Sequence, residues 1–441
     1  MGKLKNLTLR FIPLCLGLSV SWGGVVGAVT LEETIQDIDI SGVLRYRYDT
    51  GRYTNENKIG FQNGSGLVLS NQNHRWLGNL NFKASIDDNF KAFIQLRYGP
   101  TKEGGYGNSS SNITDTSKSL NVRQLYVEYN NPDYQTSVKA GKQQMDSIWT
   151  ENYYDGLVAT GLKITNTSLD GIIFQAYAYD SYNSDEQGGV GGDMGVYKDY
   201  SNPNSSYTQL PIYEKNLYGI AILGNHEILQ GNLNSQLWLS YLSENVFFYA
   251  LNLAYSYEFS ENFNINLEGA YLGNTIQNDF EKEVDATNGN FFGVKAILYT
   301  YGFDINLGGV HYGDKNKYSI TVLEDTGNLN VLGGQEIFYT DGSHLSGDRG
   351  ENSFIYGGLG YTFDKVRIGA DVAYGETKTG ISGLGGEKLE FVGKVSYKYS
   401  PKLNFLAWYS HINIDTNDPS SASLDSKKIL YVFKPYINFK G

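Results

Sequence analysis

The sequence predicts an all-β protein: a transmembrane antiparallel β-barrel of about 18 strands, within a range of about 16 to 18, with short periplasmic turns and long extracellular loops. Three observations predict it. Polar and apolar residues alternate in segments along the whole chain, the composition favours strands and turns, and short connections alternate with long ones. The 441 residues include 52 glycines and 36 tyrosines but only 8 prolines and 3 methionines, which is typical of strands joined by turns.

The N-terminal 28 residues have the three regions of a secretory signal peptide. A basic start over residues 1–10 precedes an apolar run over residues 11–20, and small residues follow as far as Ala28. The run is about half as long as a membrane-spanning helix requires. We therefore expect cleavage after Ala28, which leaves residues 29–441 as a single barrel domain and removes the lone cysteine, Cys15.

Each predicted strand carries apolar or aromatic residues at every second position, with mainly polar residues between them. In the first strand Leu44, Tyr46 and Tyr48 alternate with Arg45 and Arg47. Because successive side chains of a strand point to opposite faces, each sheet face meets a different environment. The pattern recurs at 94–98, 125–129, 263–268, 366–374 and 394–399.

The connections between these strands fall into two classes. Tight polar turns occur at 87–89, 130–133, 168–171, 260–262 and 400–402. They alternate with long polar segments at about 50–72, 101–121, 181–212, 274–290, 312–352, 375–388 and 415–426. Short turns at one end and long loops at the other are typical of outer-membrane barrels. Hydrocarbon cannot satisfy unpaired backbone amides and carbonyls, so strands that cross it must close into a barrel.

Charge and motif content argue against several other functions. The formal net charge of −12 disfavours nucleic acid as a partner because phosphate would be repelled. The five histidines are far apart in sequence, without the paired spacing of a zinc site. Phosphate-binding and hydrolase motifs are absent from the sequence, so we expect no enzyme activity. A barrel hydrolase would need a nucleophile, a histidine and an acid on one wall.

Several segments resemble the major outer membrane porins of Campylobacter and its relatives. They are 31–51, 122–127, 140–144, 148–150, 267–274, 336–340 and 399–405. The resemblance implies an 18-stranded, trimeric, cation-preferring general porin in the outer membrane of a Gram-negative bacterium. Its partners would be outer-membrane lipid and lipopolysaccharide, two further copies of the chain, and ions and small hydrophilic solutes. Family members end in an aromatic residue, whereas this chain ends in Lys440-Gly441, so the last strand is expected to end at Tyr431-Val432-Phe433.

A porin works through the polar faces of its strands, which line a water-filled path. The predicted pore-lining residues are Arg45, Arg47, Arg75, Arg97, Glu128, Glu268, Arg367, Asp371, Lys394 and Lys398. Clustered on opposite walls they would set a transverse field, and otherwise they are solvated charges with no special role. The overall acidity favours cations. An alternative function is a surface adhesin or structural barrel whose long loops bind host or matrix partners.

Acidic residues in the loops offer oxygen ligands for a metal ion. Asp155, Asp193 and Glu324 are the predicted ligands of Ca²⁺ at the constriction, a site to which the resemblance adds weight. The competing interpretation is that these are solvated loop acids. No cofactor is expected to be required.

Overall fold

The computed structural model describes residues 38–54, 72–104, 120–154, 156–182, 196–197, 208–209, 215–277, 280–281, 284–381, 385–415, 422–433 and 436–437. The predicted signal peptide, residues 1–28, lies outside these ranges and stays a prediction.

Within the described ranges the chain forms strands with antiparallel pairing, and a turn of 3₁₀ helix spans Ile337–Tyr339. The strands are β1 Ile38–Thr54, β2 Gln72–Ser85, β3 Phe90–Gly104, β4 Asn121–Asn131, β5 Thr136–Gln144, β6 Val158–Leu169, β7 Ile172–Tyr182, β8 Val196–Tyr197, β9 Thr208–Gln209, β10 Leu217–Ile228, β11 Gly231–Leu242, β12 Val246–Ser260, β13 Phe263–Ile276, β14 Asn290–Thr300, β15 Phe303–Ser319, β16 Asp348–Phe363, β17 Val366–Lys378, β18 Gly386–Ser400, β19 Leu403–Asp415, β20 Ala422–Phe433 and β21 Tyr436–Ile437.

Seven strands from β1 to β7 and eleven from β10 to β20 pair in succession, which gives a ring of eighteen. The ring closes because β1 pairs with β2 on one side and with β20 on the other. Leu44 lies opposite Phe433, so the last strand of the ring ends at the residue that the sequence predicted. The short β21 then continues along β1, opposite Ile40 and Ser41. The predicted strand number is confirmed at its upper value.

The outer face of the ring carries the apolar half of each alternating strand. Leu307 is 68% exposed, Ile355 65% and Val294 63%. Leucine and isoleucine at such exposure are expected where the surrounding medium is lipid rather than water. No helix in the described part of the chain is long and apolar enough to cross a membrane.

Aromatic residues gather on this outer face near the short turns. Phe259 lies 5.0 Å from Phe263, and Phe303 lies 4.6 Å from Tyr361, measured between ring centroids. A second aromatic group includes Tyr271, eight residues beyond Phe263 in β13, or about 26 Å along the strand. Two aromatic bands flank the apolar belt of an outer-membrane barrel, which is about 25 Å tall.

The connections follow the predicted division, with corrections at the strand ends. The turn between β14 and β15 is the pair Tyr301-Gly302, both with positive φ, the geometry of a two-residue hairpin turn. At the opposite end, β15 extends to Ser319 and β16 begins at Asp348. The predicted loop over 312–352 is therefore 320–347, because its two ends pair with each other.

The inside of the ring is partly filled, which the alternation did not predict. The described residues 145–154, 156–157 and 320–347 fold inward, and part of the inner wall facing them is apolar. Phe248, Leu272, Phe291 and Phe354 are inner-face residues buried to 2% exposure or less. An apolar inner face is stable here because folded chain, and not water, covers it.

Candidate functional site

The candidate site is the lumen at the level of two inward-folded segments: the described residues 145–154 and 156–157 after β5, and residues 320–347 after β15. We call them the first and second inner segments. The first is absent from the predicted long connections, although the sequence there shows no strand alternation. Both segments narrow the lumen, because inner-wall side chains hold them there.

The first inner segment is held by polar side chains of β2, β3 and β4. Arg97 and Asn79 both donate to the Tyr154 carbonyl, Asn79 at 2.9 Å. Arg123 donates to the Gly156 carbonyl. The guanidinium groups are buried, at 3% residue exposure for Arg97 and 2% for Arg123. Buried arginine bound to backbone carbonyls fixes the position of this segment against the wall.

The second inner segment is held by β18. Glu390 accepts hydrogen bonds from the backbone amides of Gln335, Glu336 and Ile337, at 2.7–3.3 Å, and from the Ser410 hydroxyl at 2.6 Å. Two residues earlier on the same face, Lys388 completes the attachment of this segment. Its Nζ donates to Thr340 Oγ1 at 2.6 Å, Ser343 Oγ at 2.6 Å and the Asp341 carbonyl at 3.1 Å. One carboxylate and one ammonium group, both buried, therefore bind opposite ends of residues 335–343.

The two inner segments also bind each other. The amides of Leu323 and Glu324 donate to the Trp149 carbonyl at 2.9 and 3.1 Å. In return, Glu324 Oε2 accepts the amides of Glu151 at 2.8 Å and Leu157 at 2.9 Å. The segments thus form one connected layer inside the ring, attached to β2–β4 on one side and to β18 on the other.

The predicted pore-lining residues all lie at inner-face positions of their strands. Arg47 lies opposite Arg75 in the register of β1 and β2, and Arg45 and Arg97 lie on the same part of the wall. Arginines facing each other on neighbouring strands concentrate positive charge on this part of the wall. Arg123 extends this basic wall but is absent from the predicted pore-lining residues. A register shift between Gln95 and Leu96 lets both Arg123 and Gln124 lie inside, which alternation does not anticipate.

Across the ring, acidic and basic residues are paired. Arg367 Nε donates to Asp304 Oδ2 at 2.8 Å, and Lys394 Nζ lies 2.6 Å from Asp371 Oδ2. Asp304 was also missed, although its alternation with Phe303 and Ile305 would have found it.

The remaining predicted pore-lining acids and lysine have their own surroundings. Glu128 pairs with Lys83 at 3.6 Å, and Glu268 accepts from Asn252 at 2.8 Å. Lys398 is exposed near the turn after β18. Arginines therefore dominate one wall of the ring, and alternating charges the other.

Of the three predicted calcium ligands, only Glu324 lies among the described residues. Asp155 and Asp193 lie outside them. Glu324 is 1% exposed, and its Oε2 already receives two backbone amides. Within the described part of the chain, no three histidine, cysteine or acidic side chains are grouped as a metal site. Ca²⁺ prefers six to eight oxygen ligands, so Glu324 by itself does not fit calcium.

Comparison with known proteins identifies the family. A family model of the Campylobacter major outer membrane protein matches residues 9–434. The chain belongs to this family. A search of curated proteins finds no match. As a member of the Campylobacter major outer membrane protein family, the protein is an outer-membrane porin, and its predicted location in the outer membrane is confirmed.

Solved porins share the fold of this family member. OpdL of Pseudomonas aeruginosa superposes with a TM-score of 0.62 at 12% identity, covering 90% of this chain and 99% of that one. OccAB4 of Acinetobacter baumannii gives 0.61 at 11% identity, covering 90% and 98%. At such identity the likeness shows the fold alone. The predicted barrel class is confirmed.

Proposed function

We propose that this porin is a general diffusion channel that prefers cations and passes ions and small hydrophilic solutes, as a homotrimer in a membrane containing lipopolysaccharide. The observation that carries the proposal is the accessibility of charged side chains inside a closed ring. Side-chain exposure is 32% for Arg367, 24% for Lys394 and 40% for Lys83. Water that reaches these groups provides a path for ions.

The cation preference is supported by the acidic excess of the chain. Its formal charge is −12, and low-dielectric walls concentrate ions of the opposite sign. The arginines of β1–β4 act against this preference locally, so the selectivity reports the balance between that wall and the acidic remainder. No catalytic role is proposed. Adhesion by the long loops stays a prediction, since most of those residues lie outside the described ranges.

Single-channel recording of the purified protein in a planar bilayer tests the proposal. Ohmic openings in steps of three, with a reversal potential of cation sign in a salt gradient, are the expected result. A reversal potential of anion sign would contradict the preference, and a folded barrel without conductance would contradict the channel.

The same recordings test calcium. We propose that Asp155, Glu324 and Asp193 contribute to a Ca²⁺ site, which requires that residues outside the described ranges complete it. Chelation is expected to change the conductance of the native channel and not that of Asp155→Asn. Asp133→Asn, in a turn at the opposite end, is the matched control. Identical responses in all three proteins would show that the acids are solvated loop residues.

A further inference from the structure

We propose that a chamber in the lumen binds zwitterionic solutes, small molecules that carry an ammonium and a carboxylate group. The chamber lies against the inner face of β13–β18, and residues 332–334 of the second inner segment contribute to its lining. Its volume is about 620 Å³, within the range of small-molecule sites. The inference rests on the proposed channel function and adds a solute class to it.

The charges that line the chamber are balanced in number and interleaved in space. Three basic side chains, Lys295, Arg367 and Lys394, accompany three acidic ones, Glu261, Asp304 and Asp371. A balanced lining does not draw in ions of one sign. Adjacent opposite charges instead complement a solute that carries both signs.

Lys295 supplies a position for the carboxylate of such a solute. Its Nζ donates to the carbonyls of Asn330 at 2.9 Å and Leu332 at 3.3 Å. An ammonium group has three N–H donors, so these two carbonyls leave one for a solute. Glu268 lies directly opposite Lys295 in the register of β13 and β14, and its charge, with those of Asp371 and Lys394, acts on Lys295, which places the four groups in one electrostatic neighbourhood.

Asp371 supplies the position for the ammonium. Its Oδ2 is engaged by Lys394 at 2.6 Å, whereas Oδ1 faces the Asn306 amide at 3.5 Å, too long for a strong hydrogen bond. Oδ1 therefore retains capacity to accept from a cation. A solute with its carboxylate at Lys295 and its ammonium at Asp371 satisfies both. A plain anion would meet the Asp371 charge, and a plain cation that of Lys295.

The test measures block of the open channel by glycylglycine, its N-acetyl derivative, which is an anion, and its amide, which is a cation. We expect glycylglycine to reduce the current at about tenfold lower concentration than either derivative, since each lost charge pairing weakens binding. Lys295→Met and Asp371→Asn are each expected to raise the blocking concentration of glycylglycine about tenfold. Lys295→Met should remove its preference over the amide, and Asp371→Asn its preference over the N-acetyl derivative.

The matched controls are Glu376→Gln and Lys378→Met, at the end of the strand that carries Asp371, where the two side chains form an exposed pair at 3.7 Å. Glycylglycine is expected to block both variants at the same concentration as the native channel. Conducting channels that glycylglycine and its N-acetyl derivative block equally, or an unchanged preference in Asp371→Asn, would overturn the site alone. Channels that never open would overturn the proposed function and the site with it.

Discussion

At the scale of single residues, charged groups on the inner wall serve as attachments for folded chain as well as pore lining. Glu390 is 0% exposed and receives three consecutive backbone amides. A carboxylate offers acceptor sites on both oxygens and no donor. It is therefore suited to holding a chain segment whose amides have no strand partner.

Replacement of Glu390 by Gln tests this attachment. The amide group keeps one acceptor oxygen and presents N–H donors where backbone donors already point. We expect the free energy of unfolding to fall by about 1–3 kcal/mol for each buried donor left without an acceptor. Chemical denaturation measures the fall, and single-channel current noise should increase as the second inner segment detaches.

Glu387→Gln, an exposed position on the same strand, is the control for that variant. It should leave both stability and noise unchanged. A Glu390→Gln channel as stable and as quiet as the native one would show that the carboxylate does not hold the segment.

His344 gives the second inner segment a dependence on pH. Its Nδ1 lies 2.8 Å from Asp348 Oδ2. Burial lowers the pKa of His344. The hydrogen bond and charge of Asp348, with the charge of Asp341, raise it by a larger amount, so the net pKa lies above the ordinary value. The stabilisation by protonated His344 is therefore complete below the unfolded-state pKa of about 6.5 and is lost as pH rises through the higher folded-state pKa.

We accordingly expect His344→Gln to lower the thermal unfolding midpoint more at pH 5.5 than at pH 8.5. Thermal denaturation of both proteins at the two pH values measures the difference. His226→Gln, at an exposed position of β10, should shift the midpoint equally at both. An equal effect of the His344 substitution at the two pH values would refute the pH-dependent pairing.

At the scale of elements, the two inner segments and the wall beneath them make an apolar core inside the ring. Trp149 of the first segment is fully buried, with ring centroids 5.6 Å from Phe248 of β12 and 6.3 Å from Trp238 of β11. Its backbone carbonyl receives the two amides of the second segment. One residue thus joins two loops and two strands.

Trp149→Ala should destabilise the fold by about 3–5 kcal/mol, the usual cost of truncating a buried aromatic side chain. Trp149→Phe keeps much of the contact and should cost less. Calorimetry or denaturant unfolding of both variants measures the order. Equal stability of the alanine variant and the native protein would mean that the inner core contributes little to the fold.

At the scale of the whole molecule, closure of the ring separates two solvents. Leu307 and Asn306 are neighbours on β15, with Leu307 exposed on the lipid-facing side and Asn306 lining the chamber in the lumen. Both residues belong to the same strand. Because the strand is pleated, their side chains point to opposite faces and meet different media.

Arginine at each position tests that separation. Leu307→Arg places a charge in the apolar belt, and we expect it to lower folding stability in lipid vesicles by about 2–4 kcal/mol. Asn306→Arg should fold with little loss and instead change the conductance, because its charge stays in water. A smaller stability loss for Leu307→Arg than for Asn306→Arg would assign the two faces the other way round.

The period-two alternation of the sequence was sufficient to predict strand type and the inner-face position of residues such as Arg367 and Lys394. The division into short and long connections predicted that the strands cross a membrane, and the chain length and family resemblance predicted their approximate number. This is possible because a strand fixes the face of every side chain locally, and because a membrane leaves closure as the only stable arrangement of strands.

The tertiary structure decided what the inner face meets. The sequence gives no local signal that residues 145–154, 156–157 and 320–347 fold inward, since their positions depend on contacts with residues far away in the chain, such as Arg123 and Glu390. It likewise could not show that Phe248 and Leu272 are covered by chain rather than water, or that Lys394 pairs with Asp371. The cover over Phe248 and Leu272 comes from loops that are distant in the chain, whereas the Lys394–Asp371 pair depends on the register of the neighbouring strands β17 and β18.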